Sequence, residues 1–325
     1  MKKKKIFSAL AVLVFLCILG GKVFLSEQAE GSAPDRLASW TGSAFTGQGL
    51  LYQEDIEKDG TYECKGLYYK DCQSPDAEEQ VISDNYGSYL DVQEEDVYYV
   101  DYEYNMFHYH LGTGETELLL KSDGNPMGPI LLAGDNLYFL RSAVEDEQDL
   151  NVLHLPTGEV KMLLEDVNWH YLYRYQDAVA VLSKDYKNFM VCDAEHGLIT
   201  TYPCYEGEIV GCLEDGSVIF SHENQIMKAD GFGKEEGEVL FQSEDHIYSI
   251  LMKGKEMVIT TNSDHGMMQL FVYNLEENGC EKLANVSFRA YDITEDYIAC
   301  NSGYMPGRVE LIDRHTGEIR AFAAH

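Results

Sequence analysis

The pattern His108-x-His110 brings two imidazole groups together in a segment that reads as a β-strand. Positions i and i+2 of a strand point to the same face, so both rings can reach one metal ion. Two ligands are too few for a site, and the sequence identifies no third. We therefore favour two exposed strand histidines, with a metal site as the minor alternative.

The acidic stretch Glu145-Asp146-Glu147-Gln148-Asp149 is a second candidate. Ca²⁺ typically takes about six to eight oxygen ligands, which a loop this dense in carboxylates would supply. The spacing matches no EF-hand, and such loops are usually only solvated. The sequence therefore favours an acidic surface loop here.

Motifs that would identify a reaction are not found. The chain has no Gly-x-Ser-x-Gly elbow, no phosphate-cradling glycine loop, no His-Glu-x-x-His and no Cys-x-x-Cys. A catalytic pair cannot be selected among 56 acidic residues. We assign no catalytic, cofactor-binding or metal-binding residue and predict no cofactor.

Six apolar runs recur along the chain, and they predict the strands on or between which the histidine pair and the acidic stretch lie. Their first residues lie 39 to 41 positions apart, and a period near forty with several short strands is typical of a β-propeller. Each run is apolar at consecutive positions, which predicts a strand buried on both faces. The runs begin at Val97, Leu137, Ala178, Ser217, Met257 and Tyr297.

Around each run the pattern predicts a four-stranded antiparallel unit. A shorter apolar run precedes it, and two strands follow, joined in the clearest cases by Thr-Gly-Glu turns at 113–115, 157–159 and 316–318. A less regular unit around Leu50-Leu51-Tyr52 comes first, with its first strand near Trp40 to Phe45 and a lengthened loop from Glu54 to Cys64. We predict an all-β fold, a seven-bladed β-propeller with six or eight blades as alternatives, whose ring closes through the segment Ser26 to Thr46.

First strands of such units line a central axis and bring Tyr89, His170 and Arg289 near one another. An arginine facing acidic residues can anchor a ligand, but a structural ion pair is the favoured interpretation. The 23 tyrosines fall mostly in strand runs, where packing explains them better than carbohydrate stacking.

Residues 1–25 form a separate segment. Four lysines precede the apolar run Ile6 to Leu19, which is the pattern of an export signal. The best candidate cleavage sites lack the pair of small residues that signal peptidase requires. We predict an uncleaved signal anchor that forms one hydrophobic helix, with a cleaved signal peptide as the alternative. A linker at 26–39 and the propeller at 40–325 follow, outside the cytoplasm on the cell membrane, or secreted after cleavage.

The charge of the chain excludes one class of partner. The formal net charge is −32, and the five lysines among residues 1–25, a segment without acidic residues, leave −37 on the rest. Such a field repels phosphate backbones and anionic lipid surfaces, so we expect no nucleic-acid partner and membrane contact through the N-terminal segment alone.

Seven of the eight cysteines lie outside that segment. An odd number leaves at least one unpaired, and Cys64 with Cys72 is the most plausible disulfide. Cys212 and Cys300 sit in apolar runs, which favours a role as small buried hydrophobes.

The runs Asp96-Val97-Tyr98-Tyr99-Val100-Asp101 and Asn136-Leu137-Tyr138-Phe139, with the Thr-Gly-Glu turns, resemble bacterial extracytoplasmic propellers of the YWTD-like and TolB-like kind. The resemblance covers about residues 40–325 and is structural, since such propellers serve many functions. The expected function is non-catalytic binding of a protein, peptide or cell-envelope ligand by a monomer. The alternatives are a hydrolase or lyase acting on glycans or peptides at the channel mouth, and a structural subunit of an envelope complex.

Overall fold

The structure is a computed structural model that contains only β-strands as regular elements in the part described, so the all-β prediction is confirmed. It describes residues 43–58, 61–74, 78–144, 147–176, 178–204, 208–213, 215–232, 234, 236–262, 268–286, 289–301 and 309–323. The strands are β1 Ser43–Thr46, β2 Gly49–Lys58, β3 Thr61–Asp71, β4 Gln80–Ser83, β5 Tyr86–Gln93, β6 Asp96–Asp101, β7 Met106–His110, β8 Glu115–Leu120, β9 Met127–Ala133, β10 Asn136–Val144, β11 Glu147–His154, β12 Glu159–Tyr175, β13 Ala178–Ser183, β14 Asn188–Asp193, β15 Gly197–Pro203, β16 Glu208–Cys212, β17 Val218–His222, β18 Gln225–Ala229, β19 Glu238–Gln242, β20 His246–Lys253, β21 Glu256–Asn262, β22 Met268–Asn274, β23 Gly279–Val286, β24 Arg289–Ile293, β25 Tyr297–Asn301, β26 Val309–Asp313 and β27 Ile319–Ala323.

These strands form six antiparallel sheets, each built from strands that are consecutive in the chain. Sheet I is β1–β4, sheet II β5–β8, sheet III β9–β15, sheet IV β16–β19, sheet V β20–β23 and sheet VI β24–β27. Sheet III has seven strands because β12 is 17 residues long. The first part of β12 pairs with β11, and its last part pairs with β13.

The innermost strands follow one another in a closed circuit of contacts. β1 contacts β5, β5 contacts β9, β9 contacts β12, and β12 contacts β16. β16 then contacts β20, β20 contacts β24, and β24 returns to β1. The circuit closes through residues 43–46, within the segment from which the sequence predicts closure.

The continuous apolar runs are buried on both faces, as predicted. Leu137 and Phe139 pack in the cluster between sheets II and III, whereas Tyr138 and Leu140 pack in the cluster on the opposite face of β10. All four side chains are inaccessible to solvent. Because successive strand residues alternate between faces, a run without polar breaks is what a strand between two packed layers requires.

Each sheet has two ends that carry different connections. At the lower end are the turns between first and second strands and between third and fourth strands, such as 94–95 and 111–114. At the upper end are the turns between second and third strands, such as 102–105, together with the starts of the innermost strands, because Tyr86 pairs with Asp101.

The predicted Thr-Gly-Glu turns are confirmed at the lower end. Gly114, Gly158 and Gly317 have φ of 72°, 70° and 70°, a left-handed conformation in which glycine carries no side-chain penalty. Each glycine N–H donates to a carbonyl at the end of the third strand, at 2.8 Å in all three turns.

Two departures from the period are longer hairpins, and the prediction of loops there was wrong. β2 and β3 stay paired as far as Lys58 and Thr61, and β10 and β11 stay paired as far as Val144 and Glu147. The added residues continue an existing ladder, which satisfies their backbone groups. Both extensions project at the upper end.

The junction between sheets I and VI joins the two ends of the β-structure without a shared strand. The Phe45 N–H donates to Asp292 Oδ2 at 2.6 Å, and the Lys253 ammonium donates to Asp292 Oδ1 at 3.1 Å. Asp292 is 1% exposed and also accepts from its neighbour's N–H at 2.9 Å. One buried carboxylate therefore connects sheets V, VI and I.

Apolar packing completes this junction. Tyr52 meets the ring of Phe322 edge-on at 5.9 Å, within a cluster that also contains Leu50 and Leu311. On the outside, the Arg320 guanidinium donates to the Cys72 carbonyl at 2.7 Å. The junction thus combines one charged bridge with an apolar interface.

The cysteines are placed by this strand geometry, and the predicted Cys64–Cys72 disulfide was wrong. Cys64 lies within β3 and Cys72 directly after its end, so about eight residues of extended chain, roughly 25 Å, separate them. A disulfide needs Cα atoms within about 7 Å. Cys72 is instead a buried free thiol, and Cys212 and Cys300 are buried as predicted.

The predicted N-terminal helix lies outside the described residues. Within the residues that the structure describes, there is no helix with the length and hydrophobicity needed to cross a bilayer.

We expect Asp292→Ala to lower the free energy of unfolding by about 3 kcal/mol, because it leaves the Lys253 ammonium without this buried partner. Asp91→Ala is the matched control. Asp91 occupies the same position in β5, where it accepts from the N–H groups of Val92 at 2.8 Å and Leu132 at 2.7 Å. We expect that variant to lose about 1–2 kcal/mol. Urea unfolding measures both, and equal losses would contradict a special role for the junction.

We also expect thiol alkylation of the native protein to discriminate among the described cysteines. Cys280 is exposed, so it should react first, although partial burial raises its pKa. Burial raises the pKa of Cys72 and Cys192 to about 12, and both should stay unmodified until the chain unfolds. Peptide mass spectrometry after timed labelling gives the order, and early labelling of Cys192 would contradict the packing described.

Candidate functional site

Exposed large apolar side chains fall into two groups by position. Those with aliphatic or thioether side chains all lie on outermost strands: Val81, Leu118, Val160, Met162, Leu198, Ile199, Val239 and Ile319. The aromatic ones are Tyr102, Tyr104, Tyr186 and Tyr248, and all four lie at the upper end. Among the described residues, exposed aromatic surface is therefore confined to one end of the sheets.

The turn from β6 to β7 presents the first two tyrosines. The N–H of Tyr104 donates to the Asp101 carbonyl at 3.0 Å, which closes a three-residue loop. The buried Asp101 carboxylate accepts from the Asn105 N–H at 2.7 Å and from the Asn85 amide at 3.3 Å. A buried acid thus fixes the loop and leaves both rings outside, 52% and 44% exposed.

The turn from β13 to β14 repeats this arrangement in sheet III. The N–H of Tyr186 donates to the Ser183 carbonyl at 2.9 Å, and the Ser183 hydroxyl donates to Asp185 Oδ1 at 2.7 Å. That bond, together with the Lys187 N–H, lowers the pKa of Asp185. The Tyr186 ring is 55% exposed.

Both turns place a tyrosine where glycine or asparagine is the usual choice. Tyr104 and Tyr186 have φ of 63° and 61°, and this left-handed conformation costs about 1–2 kcal/mol for most residues. Eight non-glycine residues among those described share this conformation, at both ends of the sheets, and Tyr104 and Tyr186 are the two aromatic ones. A strained turn that also exposes a large ring is more typical of a functional surface than of a packing role, so the two tyrosines are candidate binding residues.

Tyr248 reaches the upper end by a different device. It lies on the innermost strand β20, between Ile247 and Ser249, where the register with β21 shifts by one residue. A bulge re-aims the side chain of the extra residue, and Tyr248 is 40% exposed between the buried Ile247 and the half-buried Ser249.

The innermost strand of sheet II, β5, is closely packed against its neighbours. Tyr89, predicted to line the axis, lies in the cluster between sheets II and III with Tyr98 and Ile130. Burial raises the pKa of Tyr89 to about 12, with a smaller contribution from the nearby Tyr104. The side chains of His170 and Arg289, the other two predicted axial residues, lie outside the described residues.

The predicted histidine pair does come together, at the lower end. His108 Nε2 lies 2.7 Å from Asp96 Oδ1, and His110 Nδ1 lies 3.4 Å from the same oxygen. The two rings face one side of β7, as the spacing predicts, and His108 also stacks on Tyr98 at 5.0 Å. Within the described residues no group of three or more potential ligands could hold a metal ion.

The acidic stretch 145–149 is described by the structure only in part. Glu145 and Asp146 lie outside the described residues, and Glu147 to Asp149 begin β11. Asp149 Oδ1 accepts from the Asp166 N–H at 3.1 Å. That carboxylate therefore shapes the upper end of sheet III.

A cavity of about 310 Å³ lies between sheets V and VI at the lower end. Arg314 donates to both carboxylate oxygens of Glu256, at 3.0 and 2.6 Å, and so joins the two sheets. The rest of the lining is mixed and comes from sheet V: Val272, Asn274, Glu277, Gly279, Cys280, Glu281 and Leu283. The arginine is thus engaged in a structural ion pair beside this cavity.

No family model and no curated protein matches the chain. Solved structures do match. The β-propeller domain of the Trilobed protease from Pyrococcus furiosus, whose structure has an open velcro topology, aligns with a TM-score of 0.63 at 12% identity over 90% of this chain and 99% of that one. The fold is a β-propeller.

Two peptidases align over the same propeller. Pyrococcus horikoshii acylaminoacyl peptidase gives a TM-score of 0.65 at 13% identity over 88% of this chain, and a puromycin-hydrolyzing peptidase of Mycobacterium tuberculosis gives 0.59 at 12% over 90%. The chain spans about half the length of these enzymes, 52% and 57%. At such identities the likeness shows the propeller fold alone.

The upper-end tyrosines were missed by sequence reasoning, which assigned most tyrosines to packing. A usable signal was present. In Asp101-Tyr102-Glu103-Tyr104 and Ser183-Lys184-Asp185-Tyr186, a polar residue that ends a strand is followed three positions later by an aromatic residue. Turn positions of this type usually carry glycine or asparagine, so a tyrosine there is unusual.

We expect Tyr104→Asn and Tyr186→Asn each to raise the free energy of unfolding by up to about 1 kcal/mol, because asparagine tolerates the left-handed conformation. Tyr109→Asn is the contrasting control, since Tyr109 is buried and should be strongly destabilised by the change. Urea unfolding measures all three. A loss above about 1 kcal/mol for either turn variant would assign that tyrosine a packing role.

Proposed function

We propose that this chain is a non-catalytic extracytoplasmic β-propeller that binds a protein, peptide or cell-envelope ligand through its upper end. The observation that carries the proposal is the pair of exposed tyrosines held in left-handed turns, Tyr104 and Tyr186. Amphipathic rings of this kind are enriched at binding surfaces because they offer a large rigid contact with a polar tip.

The two hairpin extensions support the same end of the molecule. The β2–β3 and β10–β11 hairpins both extend beyond the common strand length at the upper end. Loops and hairpins that vary on a rigid scaffold are where binding residues concentrate. The two extended hairpins and the exposed tyrosines therefore lie at the same end of the sheets.

We further propose seven blades. β12 serves as the outermost strand of one blade and the innermost strand of the next, which divides sheet III into two. Each blade then contributes one innermost strand to the circuit from β1 to β24. The separation at residues 168–171 is the point where the two blades part.

The location follows from the N-terminal sequence. We propose that residues 1–25 anchor the chain in the cell membrane as a single span, with the propeller outside the cytoplasm, or that they are cleaved to release it. Externally added protease on intact cells should remove the propeller from the anchored form.

Site-directed photocrosslinking tests the binding function. A photoreactive phenylalanine analogue at position 104 or 186, in cells of the source organism, should capture a discrete partner. The same analogue at position 115 or 198, exposed at the lower end and on the rim, is the control and should capture nothing in common with it. A partner captured equally from all four positions would contradict recognition at the upper end.

The alternative is a propeller-scaffold hydrolase or lyase that acts on glycans or peptides. The sequence predicts its site at the channel mouth, and the cavity lined by Glu277 and Glu281 between sheets V and VI offers a second place to look. Turnover of a glycan or peptide library by the purified chain, lost in the double variant Glu277→Gln/Glu281→Gln, would favour this function over binding.

A further inference from the structure

We propose that the ligand recognised at the upper end is a flexible protein segment rich in lysine and arginine. The inference rests on the proposed binding function and specifies its ligand chemistry. Two features carry it: the exposed tyrosine faces and the excess of carboxylates over cationic side chains at the same end.

The tyrosine rings supply the first element of recognition. Tyr102, Tyr104, Tyr186 and Tyr248 are all at least 40% exposed and belong to three different sheets, II, III and V. A guanidinium or ammonium group over a tyrosine face gains from the ring quadrupole. Rings distributed in this way suit an extended segment with several cations better than one compact ligand.

Carboxylates outnumber cationic side chains around these rings. The acidic residues at the described part of the upper end are Asp84, Glu103, Asp123, Glu147, Asp149, Glu165, Asp166, Asp185, Glu223, Glu244 and Asp245, and the cationic residues there are Lys121, Arg141, Lys184 and Lys187. Each tyrosine position has an acidic residue nearby in sequence: Glu103 lies between the first two, Asp185 precedes Tyr186, and Asp245 lies three residues before Tyr248.

Two of the cationic side chains are paired with carboxylates. The Lys184 ammonium contacts Asp166 Oδ1, and Lys187 Nζ lies 3.5 Å from Asp185 Oδ2. The Arg141 guanidinium donates to the Ser122 carbonyl at 3.1 Å. Beside Tyr186 these pairs balance in charge, and the excess of carboxylates over the rest of the described upper end, including Glu103 and Asp245, leaves that surface net negative. Such a surface attracts cationic segments and repels nucleic acids and anionic lipids.

A flexible ligand segment suits this surface because the recognition turns are separate from one another. The described turns form separate projections, 102–104 and 184–187, on sheets II and III. A disordered ligand segment that becomes ordered on binding can extend over several such turns. Lysine and arginine side chains are long enough to reach a ring and a carboxylate together.

Fluorescence anisotropy with a labelled peptide of alternating Lys, Arg, Gly and Ser tests the proposal. The full-length chain in non-ionic detergent should bind this peptide, more weakly as salt increases, and should not bind the version with Glu at the cationic positions. The double variant Tyr104→Asn/Tyr186→Asn should bind roughly five- to thirty-fold more weakly, which corresponds to two exposed cation–π contacts. The matched control Leu198→Asn/Ile199→Asn removes exposed apolar surface from the rim and should bind like the wild type.

A charge pair separates specific recognition from general attraction to an acidic protein. Glu103→Gln at the upper end should weaken binding, and Glu115→Gln at the lower end should not. Equal effects of the upper and control variants, or no difference between the cationic and acidic peptides, would overturn the proposal. If crosslinking at position 104 still captures a partner in that case, the binding function stands and only the cationic chemistry of the ligand falls.

Discussion

The bridge at Asp292 is the interaction on which the closed circuit of sheets depends. At the other junctions in this circuit the chain itself passes from one sheet to the next, whereas β1 and β24 are far apart in sequence. Their union requires an interface that is favourable without help from chain connectivity. The buried Asp292 carboxylate receives the Phe45 N–H and the Lys253 ammonium, so desolvation of the charge is offset by directed partners. The apolar cluster around Tyr52 and Phe322 then adds buried hydrophobic surface.

This closure sits near the lower end, and so do other ties between sheets. The Asp91 carboxylate accepts from the Leu132 N–H, and the Arg314 guanidinium donates to the Glu256 carboxylate, both close to the lower end. The upper end has a different composition, with lengthened hairpins and two tyrosines in strained turns. A scaffold held at one end tolerates variation at the other, which is the arrangement expected when a fold must be stable and a surface must recognise a ligand.

Much of the scaffold could be predicted because burial on both faces leaves a direct trace in sequence. The run Leu137–Leu140 has no polar break, and its side chains fill clusters on opposite faces. The turn glycines could also be predicted, since Gly114 and Gly158 adopt a positive φ that glycine tolerates best. The Cys64–Cys72 pairing failed because an irregular-looking segment is a regular strand, and extension separates its ends. Asp292 could not be selected among 56 acidic residues, because only the tertiary structure reveals which carboxylate is buried.

The tyrosines show where period-based reasoning stops. A repeat explains residues by the role that their position shares across units, and most tyrosines here do serve that shared packing role, as Tyr138 does. Tyr104 and Tyr186 depart from it, because a turn in the left-handed conformation is less stable with an aromatic residue than with glycine. Stability alone therefore does not account for them. Their exposure within an acidic surface gives a physical reason for the choice, since a ring and a neighbouring carboxylate such as Glu103 together bind a cation better than either group alone.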